Sequence, residues 1–273
     1  MALDIFNLDN IVINRAIAGT MLDKTTKEPM FYVSQITDPS LETTGEQADV
    51  VDAMGIKIAS FDRSKEATFT GSSALVNLGL AAAQFGGEKM VADADHKIIV
   101  PMREVLVAKD GKATLSETPV AGSVAYINAM TRDGGLGVAY KLAATEGEGA
   151  DEAPTFTITD KEITLPLIGE DGGAPADGTK FIVFYEKEVT SGVKITNSAE
   201  MFAKGGEFIL EVLLADICDT TKPYHAYIVF PNAKMANETT IDFNNEATHG
   251  FTINAMQDYC DENKTLFEII VTE

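Results

Sequence analysis

The chain has 273 residues, of which 45% are hydrophobic and 8% aromatic, and it carries a formal net charge of -21. A chain of this length and composition can bury a sizeable core, which excludes a disordered protein. The sequence contains no apolar run of about 18 residues, so no membrane contact through a spanning helix is predicted.

The acidic balance disfavours direct binding to DNA or RNA, because the protein and the phosphates repel each other. It leaves two interpretations open. An acidic surface can simply keep an abundant protein soluble, or it can be a surface that DNA must pass without adhering to it.

The N-terminus and the cysteines indicate folding in the cytoplasm. Asp4 and Asp9 stand where a secretory signal would carry lysines, so no cleaved export signal is expected. Cys218 and Cys260 form no CxxC or Cys/His pattern, and we expect both to be buried free thiols.

The first hundred residues predict strands, a loop and a helix. Pro29 to Gln35 is strand-like, and Thr37 to Ala48 is a polar segment with turn residues, which predicts a surface loop. Gly55 to Phe61 and Glu66 to Thr70 alternate apolar and polar side chains, which predicts a hairpin that bends at residues 62–65.

Ser72 to Phe85 carries the clearest helical pattern in the chain. Its apolar residues follow helical spacing, with Ser72 or Ser73 as the N-cap and Gly86 at the C-terminal end. We therefore predict one helix over about residues 72–86, lying against a β-sheet.

The middle of the chain predicts short strands and turns. Lys97 to Ala108 suggests two strand segments broken at Pro101, and Thr145 to Ala153 is an acidic, glycine-rich loop tip. Thr155 to Leu165 alternates strictly around a bend at residues 160–161. Residues 109–176 are interpreted as an extended hairpin or small β insertion, and residues 1–108 and 177–273 as the core domain.

The last hundred residues predict a series of short strands separated by turns, which favours a sandwich or barrel. The predicted strands are Lys180 to Tyr185, Phe208 to Ala215, His225 to Phe230, Thr239 to Phe243, Gly250 to Ala255 and Leu266 to Val271.

No residue pattern supports catalysis, a cofactor or a bound metal. Asp93, Asp95 and His96 offer metal-ligating atoms, but they lack a calcium-loop pattern and a second cluster, so we expect an ordinary acidic loop. His225 and His249 lie beside predicted strands, where a structural role is expected. The glycines of residues 134–137 are not followed by a phosphate-binding motif and predict a hairpin tip, while the carboxylates of residues 146–152 lie in a solvated loop.

The order of these parts resembles the major tail tube proteins of tailed bacteriophages. An early hairpin, a helix, an insertion and a strand-rich C-terminal half follow one another over about two thirds of the chain. The segments that carry the resemblance are Phe61 to Phe85, Val229 to Met235, Phe251 to Asp258 and Lys264 to Val271.

The resemblance implies a mainly β protein, namely a sandwich or barrel of the tail tube type with one flanking α-helix and a β-rich insertion. It also implies a structural virion protein, made in the host cytoplasm, that forms stacked hexameric rings with an acidic lumen for DNA passage. Implied partners are further copies of the chain, together with sheath, tape measure and baseplate or terminator proteins.

One segment is predicted to contact the next ring, because a long polar loop can reach a neighbour. The predicted contact residues are Ser40, Leu41, Glu42, Thr43, Thr44 and Gly45. Two alternatives remain open: another virion component, such as a sheath-like, tail-terminator or capsid-decorating protein, and a non-catalytic β-sandwich binding module. A hydrolase is less favoured, because no nucleophile, base and orienting group occur together.

Overall fold

A computed structural model describes residues 11–143, 155–165, 175–217, 221–242, 248–258 and 264–272. These residues form seventeen strands and one short helix, which confirms the predicted mainly β fold class. The chain divides into two compact units, the first made of Met1–Lys89 with Ile195–Glu273 and the second of Met90–Lys194.

The strands in chain order are β1 (Ile11–Leu22), β2 (Pro29–Val33), β3 (Ile36–Val51), β4 (Lys57–Ser73), β5 (Lys89–Val91), β6 (Ile98–Val107), β7 (Lys112–Thr114), β8 (Tyr126–Met130), β9 (Leu136–Leu142), β10 (Thr155–Thr159), β11 (Glu162–Thr164), β12 (Lys180–Val189), β13 (Val193–Ile195), β14 (Gly205–Asp216), β15 (Pro223–Met235), β16 (His249–Ala255) and β17 (Glu268–Thr272).

The first unit is built on an eight-stranded antiparallel sheet in the order β2-β1-β14-β15-β16-β4-β3, with β17 also paired to β15. β15 pairs through residues 225–229 with β17 and through residues 233–235 with β16, so the sheet branches along this strand. Buried side chains of these strands form one apolar core, which contains Phe69, Phe208, Phe230 and Phe251.

The helix α1 spans Leu78–Phe85 and is shorter than the predicted helix over residues 72–86. Ser72 and Ser73 belong to β4, where they pair with β16, so neither caps the helix. The N-cap is Asn77, whose side-chain oxygen accepts a hydrogen bond from the Leu80 N–H. Pairing between strands therefore overrides the helical spacing of the preceding residues.

Hydrogen bonds and a close backbone contact hold α1 in place. The buried His249 ring lies 2.6 Å from Gln84 Oε1 through Nε2, and the Asn77 N–H donates to Nδ1. Gln84 in turn donates to the Gly250 carbonyl. At the other end, Gly86 adopts a left-handed conformation directly against the Phe202 backbone, where no β-carbon would fit.

The structure corrects the predicted loop over Thr37 to Ala48 and the hairpin that follows it. β3 runs through the whole of that loop, and β4 is continuous through the predicted bend at residues 62–65. The two long strands pair with each other along most of their length. Because β3 is an edge strand, it tolerates polar side chains, and Pro39 falls in the register shift between Thr37 and Ser40, where it interrupts the ladder only locally.

The second unit contains a seven-stranded sheet in the order β6-β12-β8-β9-β10-β11-β7, around a core that includes Phe156 and Phe181. Pro101 does not break β6, since this strand lies at the edge of its sheet. β6 and β12 pair over ten residues, so the compact unit is wider than residues 109–176. The assignment of residues 109–176 as an insertion in a tube domain stays a prediction.

The predicted C-terminal strands were correct in most cases. β12, β14, β15 and β16 contain the predicted segments, and β17 overlaps the last of them. The predicted strand at Thr239 to Phe243 was wrong for its described residues, where only an isolated bridge joins Ile241 to His249. β5 and β13 form a separate two-stranded sheet.

Candidate assembly interface

β3 and β4 extend beyond the first unit's core as a two-stranded projection, which we call the hairpin arm (residues 44–66). Nearly all of its residues are exposed, whereas Ala67 and Phe69, which follow it in β4, are buried. Eight residues of β3 within the arm span roughly 25 Å at the rise of an extended strand. Such a projection has little contact with its own chain and is available to another molecule.

The turn at the tip of the hairpin arm is defined by hydrogen bonds to Asp52. The Asp52 N–H donates to the Ile56 carbonyl, and the Asp52 carboxylate accepts from the Met54 and Ile56 N–H groups. Gly55 supplies the positive φ of 82° that closes the turn. The tip is thus held in one shape even though Met54 is 82% exposed.

The two faces of the hairpin arm differ in chemistry. On one face, Gln47 donates to Asp62, and Asp49 accepts from Ser60 and forms an ion pair with Lys57. Hydrogen bonds from Lys57 and Ser60 lower the pKa of Asp49, which keeps this carboxylate charged.

The opposite face of the arm is apolar towards its tip, whereas Glu46 and Glu66 lie on the same face nearer the base. Ala48 pairs with Phe61 and Val50 pairs with Ala59, and alternation along the strands places all four side chains on the side away from Asp49. Phe61 is 60% exposed, and Ile58, which lies at an irregularity beside these residues, is 66% exposed. An apolar face of this kind indicates a contact surface.

The six residues predicted to contact another ring lie where the hairpin arm leaves the core. All of them belong to β3 and pair in order with residues 70 to 65 of β4. Leu41 is half-buried against the core, whereas Glu42, Thr43, Thr44 and Gly45 are exposed. They form part of a paired strand and not the loop that the sequence suggested.

In the acidic loop of residues 93–96, Asp93 has a structural role. The Asp93 carboxylate accepts from the backbone N–H groups of His96 and Asp95, and these bonds lower its pKa. The Asp93 carboxylate also lies 3.2 Å from Nδ1 of the His96 ring, and both side chains are exposed to solvent. Among the residues that the structure describes, no group of three or more His, Cys, Asp or Glu side chains could hold a metal ion.

The remaining candidate residues lie apart from one another. His225 contacts Glu211 across β14 and β15, and residues 134–137 form the turn and start of β9. Cys218, Cys260 and the loop of residues 145–153 lie outside the described residues. In the described part of the chain, no helix is long and apolar enough to cross a membrane.

Sequence reasoning missed the apolar face of the hairpin arm. The signal was present in Val50, Ile58 and Phe61, but the predicted hairpin paired Gly55 to Phe61 with Glu66 to Thr70 and not with β3. Their register became visible only when β3 and β4 were paired.

The comparisons with known proteins support the resemblance to tube proteins. A comparison with curated proteins gave no match. A family model does match, and it covers residues 12–270, which include nearly all of both units. The chain belongs to the YomU/Tube protein family, a phage tube protein family, and is a structural protein of the phage tail.

Proposed function

We propose that copies of this chain assemble into stacked hexameric rings, which form the tail tube through which phage DNA passes. Membership of the tube family supports this assembly. The observation that carries the proposal is the hairpin arm, which projects from the core with an exposed apolar patch and, among the described strands, a β3 edge that pairs with no strand other than β4. In a ring or tube, further copies of the chain would cover these surfaces.

The proposed ring contact includes Ser40 to Gly45. These residues lie at the base of the hairpin arm, on the edge strand of the sheet, so a neighbouring copy can approach both their backbone and their side chains. Glu42 and Thr44 point to the same face of β3 and are exposed. They are therefore the residues at which a substitution disturbs a contact without disturbing the core.

The net charge of -21 on each copy fits a conduit for DNA, because acidic groups on the wall repel the phosphates of the passing duplex. Screening limits this repulsion to charges within about 10 Å of the DNA at 0.1 M salt. The relevant charges are therefore those that face the lumen.

Electron microscopy of the purified protein at high concentration tests the proposal, with hollow tubes as the expected result. The double variant Glu42→Arg, Thr44→Arg should stop tube growth while its circular dichroism spectrum stays unchanged. The matched control Asp95→Arg, Thr114→Arg alters exposed residues of the second unit and should still form tubes. A wild-type protein that stays monomeric in solution and in virions would refute the proposed assembly.

A further inference from the structure

The first unit contains an open apolar groove of about 210 Å³. Side chains of β1, β14, β15 and β17 form one side, and residues of β3 and β4 form the other. Ile13 and Ile269 at this groove are 69% and 57% exposed. The lining includes no charged side chain, and the residues on which the argument depends are Ile11, Ile13, Ser40, Leu41, Phe69 and Ile269.

The groove requires an apolar occupant. A charged group placed there would lose its hydration without finding a partner of opposite charge. An apolar side chain would instead gain about 25 cal/mol for each Å² of surface removed from water. The occupant must also be presented on a surface that fits between the strands on the two sides of the groove, which belong to one sheet.

The hairpin arm has the matching chemistry. Phe61, Val50 and the two alanines between them form an uncharged patch near the tip. On the other face, Asp49 pairs with Lys57, and Asp62 accepts a hydrogen bond from Gln47. The arm can therefore bury its apolar face while Asp49, Lys57 and Asp62 stay in water.

The arm of one copy does not occupy that copy's own groove. Leu41 and Phe69, which line the groove, face the core side of the hairpin, whereas Phe61 lies on the opposite side. The arm also leads away from the groove for roughly 25 Å as a paired hairpin. An arm that fills the groove must come from another molecule.

We propose that the apolar face of the hairpin arm of one copy docks into the apolar groove of a second copy. This inference rests on the proposed self-assembly and names the two surfaces that meet. Ser40 and Leu41 belong both to the groove and to the predicted ring contact, so the docked arm would lie against the segment singled out from the sequence. The contact joins two different surfaces, which allows a closed ring or a continuous stack.

Cross-linking between copies tests the docking. In a background with Cys218→Ser and Cys260→Ser, protein carrying Phe61→Cys is mixed with protein carrying Ile13→Cys, assembled and oxidised with copper phenanthroline. Both positions are exposed, so neither substitution opens a core cavity. A disulfide needs Cα atoms within about 7 Å, and only a docked arm brings these residues so close.

The matched control replaces Phe61→Cys by Ser60→Cys, which lies next in sequence but on the polar face of the arm. We expect at least ten times more cross-linked dimer with Phe61→Cys than with Ser60→Cys. Equal yields from both positions, or no dimer in protein that has formed tubes, would overturn the docking and leave the proposed tube function standing. Failure of the parent protein to form tubes counts against the proposed function itself.

A second measurement distinguishes docking of the arm from filling of the groove by another segment of the same chain. Residues 1–10 contain Leu3, Ile5, Phe6 and Leu8 and precede Ile11 at the groove. If they fill the groove, deletion of residues 2–10 should raise the cross-linking yield severalfold, which would contradict docking of the arm in the intact chain. An unchanged yield, together with loss of tubes in Phe61→Ala but not in Ser60→Ala, supports the arm.

Discussion

Phe208 lies at the centre of the first unit's aromatic core, and its replacement by alanine should strongly destabilise that unit. The side chain is fully buried, and its ring centroid lies 5.6 Å from that of Phe69 and 5.9 Å from that of Phe230. Phe208 is also fixed in β14 between β1 and β15. Paired strands on both sides prevent the backbone from collapsing into the space that a smaller side chain would leave.

We expect Phe208→Ala to lower the free energy of unfolding by about 4 kcal/mol, within the range of buried Phe→Ala changes in close-packed cores. Loss of the ring contacts adds to the loss of buried area, at about 0.5–1.5 kcal/mol for each aromatic pair. Urea unfolding followed by far-ultraviolet circular dichroism measures the change, since the chain has no tryptophan to report fluorescence.

The control for Phe208→Ala is Tyr32→Ala, because Tyr32 is 56% exposed on β2. Its effect should stay within about 0.5 kcal/mol, as expected for a surface substitution. A loss below about 2 kcal/mol for Phe208→Ala, or equal losses for the two variants, would show that this residue is not packed in a rigid core.

Three further substitutions test local features of the first unit. Asn77→Ala removes the N-cap of α1 and should cost about 1 kcal/mol in urea unfolding, whereas a neutral result would mean that the cap is dispensable. Gly206→Ala places a β-carbon against the Leu22 carbonyl, so its thermal midpoint should fall well below that of Gly250→Ala, where the nearest atom, the Thr240 carbonyl oxygen, lies 3.8 Å away; equal midpoints would contradict this close approach. Burial lowers the pKa of His249 below its ordinary 6.5. The unfolded chain therefore binds a proton first as pH falls, and the free energy of unfolding should drop between pH 7 and 5.5, by at most about 1.4 kcal/mol per pH unit. His249→Asn should reduce this slope, and an unchanged slope would show that His249 does not cause it.

The sequence predicted the strands of the C-terminal half because their signal is local. β12 and β14 are rich in β-branched and aromatic residues, and turn residues flank both strands, so composition alone indicates that these segments are strands. Strand pairing then buries the alternate side chains. In such segments the local preference and the tertiary contacts favour the same structure.

The hairpin arm could not be predicted in the same way, because its structure depends on pairing between distant residues. Thr37 to Ala48 has the composition of a loop, yet β4 supplies pairing partners for all of it except Asp38 and Pro39. An exposed edge strand does not need apolar alternation, since neither face of the arm is covered by the core. The boundary of α1 was misplaced for a related reason, because Ser72 and Ser73 pair with β16.

Net charge and exposed apolar surface have opposite effects on the association of this chain. A charge of -21 keeps separate copies apart and soluble, whereas the apolar arm and groove favour contact. Because Asp49 is bonded to Lys57 and Ser60 on the polar face, the patch of Phe61, Val50 and the two alanines that would be buried on docking carries no charge. Repulsion therefore opposes random contacts between acidic surfaces but adds little cost at the docked arm itself. On the proposed assembly, this separation of charged and apolar surfaces lets a soluble chain with an exposed hydrophobic arm associate in one specific arrangement.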